Sequence, residues 1–186
     1  MEYEYLFAVG QDSHRFIHTS DNTKNRRHID ASDNRATGAE TQTGQRVGGV
    51  WIDESPTLLA NSDGDVLLHA LTNAISGITG VNILGEKADR MCLQQGITDS
   101  SAYLREAVKY LGDRKIIHVS FSVECKTPRL AAHIDDIRLG VSNLLSIPIA
   151  SVCLTVTSGE ELTSFGRGEG ITVICGITVR QAQRET

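Results

Sequence analysis

At 186 residues, with 40 % apolar and 22 % charged side chains, the chain has the length and composition of one water-soluble domain able to bury a core. Its formal net charge of −5 runs against a general nucleic-acid binder, which presents a basic surface, and no run approaches 18 consecutive apolar residues, so neither nucleic acid nor membrane is an expected partner. The acidic start MEYEYLFAVG argues against a signal or transit peptide there.

Tyr3–His14 alternates Tyr3, Tyr5, Phe7 and Val9 and predicts a strand. From about residue 18 to 46 the chain is Ser, Thr, Asn, Asp, Lys and Arg with almost no apolar residue, which predicts a long polar insertion in a single domain spanning 1–186. Arg26, Arg27 and His28 in that insertion could reach an anion, but a solvated loop is the better explanation of them. Val47–Ile52 predicts a short second strand, and Ser62–Gly80 a helix opened by a capping residue and stopped by glycine. Val81–Thr98 is irregular, and Asp99–Asp113 predicts an amphipathic helix capped by Asp99 or Ser100. Lys115–Cys125 predicts a strand, Pro128–Leu145 a helix with proline in its first turn, and Ala150–Ser158 and Gly170–Gln181 two further strands around a helical turn at Glu160–Thr163. This order gives an α+β domain with helices packed on one face of a sheet. Cys92, Cys125, Cys153 and Cys175 show no CxxC spacing. The last three fall in apolar runs, which predicts buried thiols in a reducing, cytoplasmic compartment.

Three stretches carry candidate chemistry. In QDSHRF, Asp12 and His14 are two apart on a strand and project to one side; with His69 from the helix they would make a three-ligand zinc site with an open fourth position. The bland alternative is a surface His14 and a hydrogen-bonded core His69. In SDGDV, Ser62 and Asp63 fit a helix cap, and Asp65 is close enough to orient a ligand imidazole. In TVTSGEELTSFGRGEG, Thr157 and Ser158 offer hydroxyls and N–H groups for phosphate at a strand-to-helix turn, and Glu160 a carboxylate for a magnesium ion; a simple helix cap accounts for the same residues. His18, His28, His118 and His133 carry no comparable spacing.

Together these segments resemble the 2-C-methyl-D-erythritol 2,4-cyclodiphosphate synthase family of the non-mevalonate isoprenoid pathway. The resemblance rests on Asp12-Ser13-His14, GGV-x-I at 48–52, SDGDVLLHALT at 62–72, LREA at 104–107, the Pro128–His133 spacing and FGRGEGI at 165–171, all in family order. It implies a homotrimer with active sites between subunits and zinc on Asp12, His14 and His69. It also implies catalytic contacts from Asn61, Ser62 and Asp65, a cytosine pocket along Arg129 and Leu130, and a diphosphate held by Thr157, Ser158 and Glu160 with Mg²⁺ or Mn²⁺. Arg167 and Glu169 would face the trimer axis. The implied reaction is metal-dependent intramolecular phosphoryl transfer on 4-diphosphocytidyl-2-C-methyl-D-erythritol 2-phosphate, a CDP-linked substrate, with release of CMP.

The chain departs from the family pattern at four places. Asn61 stands where the family has histidine, Ile83 where it has aspartate, Ala88-Asp89-Arg90 where it has FPD, and Gly159 where it has threonine. Two other readings therefore stand beside the synthase: a paralogue using another CDP-linked diphosphate, and a non-catalytic trimer that binds metal or nucleotide.

Overall fold

The computed structural model describes residues 2–17 and 43–183, so most of the polar insertion, with Arg26, Arg27, His18 and His28, lies outside the described residues. The chain forms β1 (Tyr3–Arg15), β2 (Thr43–Val47), β3 (Val50–Pro56), α1 (Val66–Thr79), α2 (Glu86–Asp89), α3 (Ser100–Lys109), β4 (Lys115–Glu124), α4 (Ile134–Leu145), β5 (Val152–Thr157) and β6 (Gly170–Ala182). Four strands make one sheet in the order β1-β6-β4-β5, antiparallel except for the β4–β5 pair. The α+β architecture with helices on one face is as expected.

The helix-covered face carries Val119, Phe121 and Val123 of β4 and Ile171, Val173, Cys175, Ile177 and Val179 of β6, all buried, with β6 packed against α1. The alternation of β1 runs the other way from the usual inference. Leu6, Ala8, Gly10, Asp12 and His14 face α1, whereas Tyr3, Tyr5, Phe7 and Val9 stand exposed on the far side of the sheet. Gly10 is required where strand and helix meet: a Cβ there would lie 2.1 Å from the Ala70 carbonyl oxygen and 2.2 Å from the Ala74 nitrogen. That close approach brings His69 beside Asp12.

Several boundaries differ from expectation for identifiable reasons. The segment expected as one strand, Val47–Ile52, is instead the turn of a hairpin, with Gly48 and Gly49 at φ 64° and 82° as a two-residue connection demands. Its first strand begins at Thr43, inside the stretch expected to be insertion, because Gln45 is buried through polar contacts rather than apolar ones. Its Nε2 donates to the Asp63 carbonyl at 2.5 Å and its Oε1 accepts from the Leu58 N–H at 3.1 Å. Pro128 is not in a helical turn: Arg129, at ψ 89°, is extended, a 3₁₀ turn covers Leu130–His133, and α4 begins at Ile134. Residues 86–94, expected to be irregular, form α2 and one π-helical turn at Arg90–Gln94. Cys153 is exposed rather than buried, because it points to the outer sheet face; all four cysteines are free, and Cys125 and Cys175 are buried. Among the described residues no helix is long and apolar enough to cross a membrane.

Candidate metal centre and active-site cavity

Asp12 and His14, side by side on the inner face of β1, meet His69 from the first turn of α1. Asp12 Oδ2 lies 3.1 Å from His14 Nε2 and 3.1 Å from His69 Nδ1, and the two nitrogens are 3.4 Å apart. Ligand atoms on a tetrahedral zinc, each about 2.0–2.1 Å from the ion, are about 3.3 Å from one another. The triangle therefore has the size of three corners of such a site, and the donor set of one carboxylate and two imidazoles suits zinc chemistry.

The proton arrangement fits as well. His14 Nδ1 lies 3.2 Å from the Leu59 carbonyl oxygen, an acceptor only, so that nitrogen carries a hydrogen and Nε2 is the one that a neutral imidazole would offer to a metal. Burial by itself would raise the Asp12 carboxyl, yet the hydrogen bonds and charges of His14 and His69 prevail and hold it at about 2. Burial disfavours charging of His14, but the Asp12 carboxylate more than offsets this and raises the imidazole above its ordinary value.

The cluster opens into a cavity of about 210 Å³ that Asn61, Ser62, Leu84, Asp89, Cys92 and Tyr103 help to line. Asn61 is exposed at its mouth, and its carbonyl accepts from Cys92 Sγ at 3.2 Å. Ser62 Oγ accepts from the Gly64 N–H at 3.3 Å. Asp65, by contrast, does not touch the His69 ring. Its fully buried carboxylate accepts from Gly48 and Gly49 N–H at 2.8 and 2.6 Å and caps α1 through Leu68 N–H at 3.0 Å. Burial raises that carboxyl against the pull of these donors. A separation of one helical turn from His69 in sequence predicts Asp65 beside the imidazole, but its carboxylate turns to the hairpin glycines instead. A larger groove of about 570 Å³ runs past Asp63 and Asp65 towards α4 and includes none of the three cluster residues.

The other expected site residues lie apart from this cavity. Ser13, Thr172, Glu124 and Thr157 are in register across the sheet, so the turn after β5 sits at the same end as the cluster but on the opposite edge. Three strand spacings put the two edges about 14 Å apart. In that turn Ser158 Oγ donates to Glu160 Oε1 at 2.9 Å, and Gly159, Glu160 and Glu161 are all left-handed, at φ 69°, 48° and 62°. Glycine suits position 159 at φ 69°, and a Cβ there would lie 2.1 Å from Glu124 Oε1, so a larger residue requires that carboxylate to move. Leu130 is buried, leaving only its backbone to a ligand, while Arg129 is exposed. Arg167 and Glu169 form an ion pair at 3.2 Å. Ile83 is a core residue at 1 % exposure, so the carboxylate the cavity does present in this region is that of Asp89. Neither Asp89 nor Ser100, which contacts the far side of His69, is marked by spacing; both emerge only when α2 and α3 are packed.

With this geometry in hand, comparison with known proteins is informative. The YgbB family model matches residues 6–180. The chain is 39 % identical over 181 residues to the 2-C-methyl-D-erythritol 2,4-cyclodiphosphate synthase of Chlamydia muridarum, covering 97 % of this chain and 90 % of that one. It is 38 % identical over 178 residues to the enzyme of the same name from Chlamydia caviae, covering 95 % and 90 %. Among solved structures, the bifunctional IspDF of Campylobacter jejuni superposes with a TM-score of 0.77 at 22 % identity, covering 98 % of this chain and 44 % of that one. The synthase of Plasmodium vivax superposes with 0.70 at 22 %, covering 97 % and 100 %.

Proposed function

The chain belongs to the YgbB family, and from that premise we propose that it is a 2-C-methyl-D-erythritol 2,4-cyclodiphosphate synthase. Its substrate is 4-diphosphocytidyl-2-C-methyl-D-erythritol 2-phosphate. An oxygen of the 2-phosphate forms a bond to the β-phosphorus as the bond from that phosphorus to the CMP oxygen breaks. The product is the cyclic diphosphate, and CMP leaves. The observation that carries this reading is the convergence of Asp12 Oδ2, His14 Nε2 and His69 Nδ1 at the floor of a cavity.

Asp12, His14 and His69 hold zinc, and Glu160 holds magnesium or manganese with the substrate phosphates. Such cations supply positive charge against phosphate oxygens, the main need of a reaction governed by alignment and electrostatics. The chain's own groups fix the geometry. The Leu59 carbonyl sets the His14 ring, and Ser62 and Asn61 stand at the cavity wall where the phosphates pass. Thr157 and Ser158 present hydroxyls at the far sheet edge for the diphosphate, and Arg129 with the Leu130 backbone borders the cytosine. A homotrimer unites these halves: the β5 edge of one subunit closes on the β1 edge of the next, with Arg167 and Glu169 toward the axis. The exposed row of Tyr5, Phe7 and Val9 supports this assembly, and the four free cysteines support a reducing, cytoplasmic setting.

Asp12→Ala and Glu160→Ala test the two halves. Each is expected to lower CMP release by about 1000-fold, corresponding to about 4 kcal/mol of lost transition-state stabilisation. Wild-type rates in either variant, by chromatographic assay of CMP with zinc and magnesium present, would overturn the assignment.

A further inference from the structure

His69 can offer only one ring nitrogen with a free lone pair, and Nδ1 is the one that faces Asp12 and His14. Its other nitrogen, Nε2, lies 2.9 Å from Oγ of Ser100, the first residue of α3, which has no solvent exposure. The Ser100 hydroxyl has a single hydrogen and donates it in a short bond to Oδ1 of Asp63. An ionised carboxylate only accepts, so this hydrogen cannot turn towards His69. The hydroxyl therefore presents lone pairs to the ring, and Nε2 must carry the proton.

Asp63 is itself fixed in place. Its Oδ2 accepts from the Ser100 N–H and its Oδ1 from the Asp65 N–H, each at 3.2 Å. Its own N–H donates to the Thr98 carbonyl at 2.9 Å, and its carbonyl accepts from Gln45 Nε2 at 2.5 Å. The loop before α1 and the start of α3 are thus tied together through the two residues behind His69. Ser62 Oγ is 3.5 Å from the same ring nitrogen, too long to compete.

We propose that Ser100 and Asp63 are a positioning pair that locks His69 in the Nε2–H tautomer and so sets the affinity of the site for zinc. The proposal rests on the metal reading above. A ligand imidazole whose outer N–H is held by a polar partner has its ring orientation fixed and its basicity raised, and losing such a partner weakens metal binding about 10–100-fold. Asp63→Asn is an informative change because it preserves shape. An amide cannot accept at both positions: its Nδ2 either faces Ser100 Oγ, which reverses that bond and frees the Ser100 hydrogen, or faces the Ser100 N–H, which breaks that contact and loosens the pair.

The experiment measures zinc affinity by competition with a chromophoric chelator for the wild type, Ser100→Ala, Asp63→Asn, Ser101→Ala and Asp12→Ala. The cobalt-substituted spectra are recorded alongside, with NMR of the His69 Nε2–H in the zinc-loaded proteins. We expect about 10–100-fold weaker zinc binding in Ser100→Ala and Asp63→Asn. Shifted cobalt d–d bands and faster solvent exchange of the His69 Nε2–H should accompany the loss, while Ser101→Ala stays within about twofold of the wild type. If Ser100→Ala fails to fold, judged by circular dichroism, the shape-preserving Asp63→Asn carries the test. Unchanged affinity and unchanged exchange of the His69 Nε2–H in Asp63→Asn would overturn the pair while leaving the metal centre intact. Zinc affinity unaffected by Asp12→Ala would overturn the metal reading, and the proposal with it.

Discussion

Asp12 and His14 shift each other's protonation in opposite directions, and the sign of each shift predicts how the metal-free protein responds to pH. His14 is raised above 6.5, so its contribution to stability is complete below that value and is lost as pH rises through the raised one. Asp12 is lowered from 3.8 to about 2, so its contribution is complete above 3.8 and is lost as pH falls towards 2. Chelator-treated protein is therefore expected to lose stability in urea titrations as pH rises from 6.5 through the raised His14 value. Zinc binding requires the neutral imidazole, so the zinc-loaded protein should gain stability over the same rise. Parallel trends with and without zinc would contradict the assignment of His14 as a ligand.

At the scale of elements, the hairpin and the start of α1 depend on one carboxylate. Asp65 caps α1 and accepts from both glycines of the β2–β3 turn. Asp65→Ala leaves three N–H groups without that acceptor, two of them inside the turn, and is expected to cost about 3 kcal/mol in urea unfolding. A loss below about 0.5 kcal/mol would mean that water or the backbone replaces the carboxylate without penalty. The identities of most elements were legible in the sequence, since α1, α3, β4 and β6 carry the right apolar periods and helix stops. The Asp12–His14–His69 cluster was legible only through the family resemblance, because the DxH and the histidine within an apolar helix face by themselves fit a surface His14 and a core His69 as well. What could not be read depends on packing. Gln45 looks like part of a polar insertion and is buried because its amide is saturated by backbone partners. The Asp65 carboxylate is one turn from His69 in sequence but is drawn away by Gly48 and Gly49. Ser100 serves His69 only because α3 packs beside α1. The apolar residues of β1 mark a strand correctly but lie on its uncovered face.

That uncovered face and the two separated halves of the site describe one property of the whole molecule. Phe7 is 68 % exposed, and Tyr5, Val9 and Ile174 flank it on the same outer surface. Asp12 and His14 stand on one edge strand and Thr157 on the other, so no single sheet brings them together. A trimer of about 60 kDa, three times the 20.2 kDa chain, is expected in sedimentation. Phe7→Glu should dissociate it and remove activity together. Mixing inactive Asp12→Ala and Glu160→Ala subunits under exchange conditions should restore CMP release, because some interfaces then pair an intact β1 edge with an intact β5 turn. No recovery in mixtures verified to contain mixed trimers would place both halves within one subunit.

Synthase activity is read directly by ³¹P NMR of the zinc-loaded protein incubated with Mg²⁺ and 4-diphosphocytidyl-2-C-methyl-D-erythritol 2-phosphate. The substrate signals are expected to be replaced by equal amounts of CMP and a cyclic diphosphate with two mutually coupled phosphorus resonances. An unchanged spectrum from protein with zinc bound and the trimer intact would contradict the proposed synthase activity.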